Sequence, residues 1–103
     1  MEEAMDRLKE ELDRRWRLMF NTLADGGDVP PSQRLRTEGL MEAAVLLDLT
    51  GEEDLLAAMD ACYNEAFGRT LADDFGPDWV QFYPFPQIPA VMRRAPVYPS
   101  TPD

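Results

Sequence analysis

Seven of the nine prolines lie at or beyond Pro77, and none falls between Pro31 and Pro77. Inside a helix a proline removes a hydrogen bond and clashes with the preceding turn, and in a central strand it breaks the ladder. Long helices and central strands are therefore confined to the chain before Pro77. With 103 residues in all, one modest core is what the chain can build, because a fold of this size buries only about two-thirds of its unfolded surface.

Within that part the apolar period is helical. Met5, Leu8, Leu12, Trp16, Met19, Phe20 and Leu23 recur at threes and fours, which predicts a helix over 4–23. Acid precedes base by four in Glu3/Arg7, Glu10/Arg14, Glu11/Arg15 and Asp13/Arg17, an order that adds a few tenths of a kcal/mol per pair. Asp25-Gly26-Gly27-Asp28 ends this helix, and Val29-Pro30-Pro31 keeps the link extended. A second helix is expected over 32–47, with Leu35, Gly39, Ala43, Leu46 and Leu47 on its apolar face, widened by Leu40, Met41 and Ala44. Gly39 costs about 1 kcal/mol relative to alanine within a helix, so it marks a close backbone approach. Thr50 and Glu53 have capping-box spacing and predict the start of a third helix, which continues through Leu55, Leu56, Met59, Cys62, Tyr63, Ala66 and Phe67 to a stop at Gly68. The short link makes the second and third helices a hairpin or helix-turn-helix.

Beyond Phe67 the prolines predict an extended tail, yet Phe75, Trp79, Val80, Phe82, Tyr83, Phe85 and Ile88 make its first half too apolar for an ordinary disordered linker. Residues 71–92 are expected to lie on the helices with one short turn over 77–82, and 93–103 to be a flexible tail. The expected fold is thus all-α: a long leading helix, a helical hairpin and a proline-rich aromatic tail, with 1–92 as a single domain.

Charge and composition exclude several functions. The chain carries −10 at pH 7, and residues 38–92 hold eleven acids against one base. Such a surface repels phosphate backbones, so the helix-turn-helix spacing of 32–67 does not read as a DNA reader: its second helix carries Glu52, Glu53, Asp54, Asp60 and Glu65 and no base. Histidine is absent and Cys62 is the single cysteine, which removes the commonest zinc ligands, an internal disulfide and the usual general base. Cys62 sits in the apolar register of the third helix and reads as core. The carboxylates Asp73, Asp74 and Asp78, or Glu52, Glu53 and Asp54, lack calcium-loop spacing. No catalytic, metal or cofactor site is expected. No apolar run approaches the roughly 20 residues a membrane span needs, and Met1-Glu2-Glu3 is the opposite of a signal peptide's basic start; a soluble, cytoplasmic protein is expected. The stretch 93–99 fits a basic-x-x-Pro-x-x-Pro ligand pattern.

The function left is recognition by surface. Trp16, Met19 and Phe20 gather large groups of the kind that anchor interfaces. A stripe about 30 Å long also outreaches what two shorter helices offer. The expected protein interface is Leu8, Leu12, Arg15, Trp16, Met19 and Phe20, serving a homodimer, with Arg14, Arg15 and Arg17 facing the acidic middle of a second copy. The alternative is an acidic mimic of DNA that occupies the basic groove of a nucleic-acid-binding protein.

A short, acidic, histidine-free, all-helical chain with a long amphipathic leading helix resembles, in the format of its helical part over 5–67, the small bacterial QslA-like anti-activators that sequester a transcription regulator. That resemblance implies binding to the ligand-sensing domain of a LuxR-type quorum-sensing regulator and blocking that regulator's dimer.

Overall fold

The computed structural model describes residues 2–89, which are mostly helical with no strand among them. Three long helices, α1 (Glu2–Ala24), α2 (Pro31–Leu46) and α3 (Glu52–Phe67), are followed by two short ones, α4 (Leu71–Phe75) and α5 (Trp79–Phe82). The expected extended segment after Phe67 is therefore broken into short helices. The stretches 90–92 and 93–103, with the proline-ligand pattern, lie outside the described residues. None of the described helices is long and apolar enough to cross a membrane.

The helix ends follow local chemistry. The α1 terminus closes with Gly26 N–H on the Leu23 carbonyl at 3.0 Å and Gly27 N–H on the Thr22 carbonyl at 2.9 Å, the paired bonds of a Schellman cap. Gly26 has φ +87°, and a Cβ on Gly27 would lie 3.0 Å from Thr22 Cγ2, so both positions favour glycine. The expected capping box at Thr50 and Glu53 does not form: Gly51 is the N-cap of α3, without a side-chain cap. A capping box appears instead at α4, where Thr70 and Asp73 exchange hydrogen bonds of 3.1 and 3.0 Å.

α1 is the element on which the others assemble, packing most extensively on α3 and less on α2. Leu12 and Leu55 line one cleft and Arg17 pairs with Glu65, so α3 runs parallel to α1. Of the two expected arrangements, hairpin or helix-turn-helix, the closely packed hairpin is not formed: α2 and α3 are neighbours in sequence but do not pack on each other to the extent that each packs on α1, because each spends its core face on α1 and the chain after Phe67. Leu12, Trp16, Met19, Phe20, Met41, Ala44, Leu55, Met59 and Tyr63 form the centre of the core, joined by Leu71, Trp79 and Ile88. Aromatic rings carry that core outward. Tyr63 meets Phe20 edge-on with centroids 5.3 Å apart, stacks on Phe67 at 4.4 Å and meets Phe75 at 6.1 Å, and Phe75 meets Tyr83 at 5.7 Å.

The orientation of α2 departs from the sequence expectation. Its core face is Thr37, Glu38, Met41 and Ala44, while Leu35, Leu46 and Leu47 are 56%, 78% and 63% exposed. Gly39 is exposed, and a Cβ there would meet nothing within 4 Å; no backbone approaches it. The polar residues turn inward because partners await them. Thr37 Oγ1 donates to the Gln33 carbonyl at 2.9 Å. Glu38 pairs with Arg34 at 3.1 Å and accepts the Ile88 N–H at 2.9 Å. Buried polar groups are tolerated when so satisfied.

Candidate functional site

The six residues expected at an interface divide by depth. Leu12, Trp16, Met19 and Phe20 are at most 1% exposed, closed over by the chain's own elements. Leu8 is half-buried against the core, and Arg15 is half-buried beside Glu11. An interface through the four deep residues would need α1 to part from its neighbours. Their large apolar groups anchor this protomer instead.

Leu12 and Trp16 do reach one opening. Together with Leu55 and Ala58 they floor a cleft of about 310 Å³ between α1 and α3, with Asp13 and Asp54 at its edge. Trp16 Nε1 is buried with no hydrogen-bond partner, an unmet donor of the kind that costs roughly 1–3 kcal/mol. Beside the cleft, the Cys62 thiol donates to Asp13 Oδ1 at 3.1 Å. Burial, and then that carboxylate, push the thiol up to about 12. So protonated, Cys62 is a poor nucleophile.

The carboxylates noted in the sequence are occupied structurally. Asp73 caps α4, and Thr70 holds its carboxyl below the usual range. Asp74 accepts from the Tyr63 hydroxyl and pairs with Arg69 at 2.8 Å. Asp60 accepts the Leu71 N–H at 2.8 Å. Glu52, Glu53 and Asp54 fill the first turn of α3, where the helix dipole favours them. Among the described residues no group of three or more His, Cys, Asp or Glu could hold a metal ion.

The surface feature that the periodicity placed wrongly is the outer face of α2. Leu35 and Leu46, eleven residues apart, share a stripe opposite the core, with Leu47 on its flank. The missed signal was a second series at threes and fours: Arg34, Thr37, Glu38, Met41, Ala44 and Val45. It is amphipathic only once Arg34 and Glu38, an i,i+4 pair, are allowed to neutralise one another.

No family model, no curated protein and no solved structure matches the chain.

Proposed function

We propose that the protein is a non-catalytic cytoplasmic regulator that binds and sequesters a protein partner through apolar surface. The observation that carries this reading is the outer face of α2: Leu35 and Leu46 of the helix and Leu47 at its C-cap are each more than half exposed, while Thr37 and Glu38 of the same helix are buried. Clustered exposed apolar residues rimmed by polar ones are a mark of protein interaction sites. In its finer form the reading is an anti-activator: the partner is the ligand-sensing domain of a LuxR-type quorum-sensing regulator, kept from dimerising and from DNA. A homodimer would use the same α2 face, since the α1 stripe is spent inside the protomer.

The test is calorimetry and light scattering on the purified protein with such a ligand-sensing domain. A complex that displaces the regulator's own dimer, with shallow salt dependence and a negative heat-capacity change, supports sequestration. Leu46→Glu should abolish it. No complex, or one that tolerates Leu46→Glu and Leu47→Glu, rejects the reading. A steep loss of affinity between about 50 and 200 mM salt, dependent on Glu52, Glu53 and Asp54, would favour the acidic DNA mimic.

A further inference from the structure

In a chain of net charge −10 with ten basic residues, three arginines converge on one cleft. Arg14 and Arg15 of α1 and Arg36 of α2 line a cavity of about 370 Å³, together with Leu18, Ser32 and Gln33. Two of the three are held in place. Glu11 accepts from Arg14 Nε and Nη2 at 3.1 and 2.6 Å and from Arg15 Nε at 2.6 Å. These bonds hold the Glu11 carboxyl down to about 2, so it stays charged, and they leave Nη1 of Arg14 and both terminal nitrogens of Arg15 without a hydrogen bond to it. Arg36 has no ion-pair or hydrogen-bond partner among the described residues. With Glu11 counted, the cleft keeps an excess of two positive charges.

The start of α2 adds to this. Its N-cap is Pro30, with no side-chain cap and no acid in the first turn. The N–H groups of Gln33 and Arg34 turn back to the Pro30 carbonyl, whereas that of Ser32 has no partner among the described residues. Leu18, 48% exposed, gives the cleft an apolar wall.

We propose that this cleft binds a phosphate monoester on a small apolar carrier. A single carboxylate fills one guanidinium fork, whereas a phosphate dianion presents three oxygens to separate donors and matches an excess of two charges. A nucleic acid would meet the repulsion of the acidic body, so the ligand is an isolated phosphate group. The carrier, a free organic phosphate or a phosphorylated side chain, rests against Leu18. This inference is independent of the α2 leucines and of sequestration.

The test is an NMR titration of the full chain with inorganic phosphate, phenyl phosphate, and a phosphotyrosine peptide beside its unphosphorylated form. Saturable shifts at the Ser32 and Gln33 amides are expected, with phenyl phosphate tighter than inorganic phosphate. Tighter binding of the phosphopeptide than of phenyl phosphate assigns the group to a protein, and the reverse to a free metabolite. Arg36→Gln should weaken binding about tenfold, the size of one lost charge-assisted hydrogen bond, whereas Arg69→Gln, away from the cleft, should not. Binding should weaken as pH falls through about 6, where the monoester takes a proton. No saturable shift, equal binding by the unphosphorylated peptide, or affinity unchanged by Arg36→Gln overturns the proposal.

Discussion

α1 and α2 carry apolar stripes of the same period, yet one is buried and the other faces out. On α1 the large groups Leu12, Trp16, Met19 and Phe20 have no competitor for the core, because the remaining faces are filled by acid–base pairs such as Asp13–Arg17 at 2.7 Å. On α2 a competitor exists. Thr37 and Glu38 each find a partner, Arg34 meets Glu38 through Nη1 while its buried Nε stays unpaired, and Met41 and Ala44 beyond them are fully buried. Periodicity identifies faces, but burial goes to the face whose polar members can be satisfied on the inside. For α2 that depends on an acceptor site for the backbone of Ile88, fifty residues downstream.

The comparison breaks first, and by most, at Trp16. Trp16→Ala empties a buried site at the floor of the α1–α3 cleft and should cost about 3–5 kcal/mol in chemical denaturation, enough to threaten a domain of this size. Trp16→Phe keeps much of the ring and removes the unmet Nε1 donor, so it should cost much less. Equal losses for the two would mean that the indole N–H has a partner after all.

At Glu38 the expected loss is smaller, about 2 kcal/mol for Glu38→Ala, because the change strands the Ile88 N–H and leaves Arg34 without its carboxylate. The segment around Ile88 should loosen with it, read as faster amide exchange at Ile88 than at Leu55. If exchange at Ile88 is unchanged, the inward turn of α2 does not depend on that bond.

How far this fold was legible in the sequence follows from the same contrast. The three long helices, their approximate limits and the stop at Gly68 came from spacing and cap residues, which are local. So did the core role of Cys62 and the ordering of Trp79 and Ile88 on the helices. The facing of α2, the idle Thr50–Glu53 pair and the lack of a packed α2–α3 hairpin depended on contacts made across the chain. The site suffered more than the fold. Trp16 and Phe20 stand out by size, and size suits a core as well as an interface, whereas in the sequence the outward leucines are visible only as part of a stripe whose period points inward.

A sharper version of the α1 half concerns its edge, where Cys62 donates to Asp13. The thiol is held near 12 against an ordinary 9.0. Because the folded value is raised, its contribution is fully present below about pH 9 and fades as pH climbs toward 12, once the unfolded chain ionises first. Wild type should therefore lose about 1 kcal/mol more than Cys62→Ala between pH 8 and 10, and Cys62 should resist alkylation at pH 8. Parallel stability curves for the two proteins, or rapid alkylation, would show that the thiol is not held in this way.

The smallest expected effect on stability belongs to the exposed half of the comparison. Leu46 is 78% exposed, so Leu46→Ser removes almost no buried area and should change the unfolding free energy by less than about 0.5 kcal/mol. The same change takes an apolar anchor from a face of α2 that the described residues leave exposed, so it should weaken association with a copy or a partner while the melting curve stays still. That separation is the diagnostic. A core residue moves stability and binding together, as Trp16→Ala should, whereas a surface anchor moves binding alone. If Leu46→Ser lowers the melting temperature by several degrees, Leu46 is buried by the protomer in solution and α2 faces as its stripe first suggested. If it changes neither quantity, the outward leucines are ordinary exposed side chains, of which every protein surface has some.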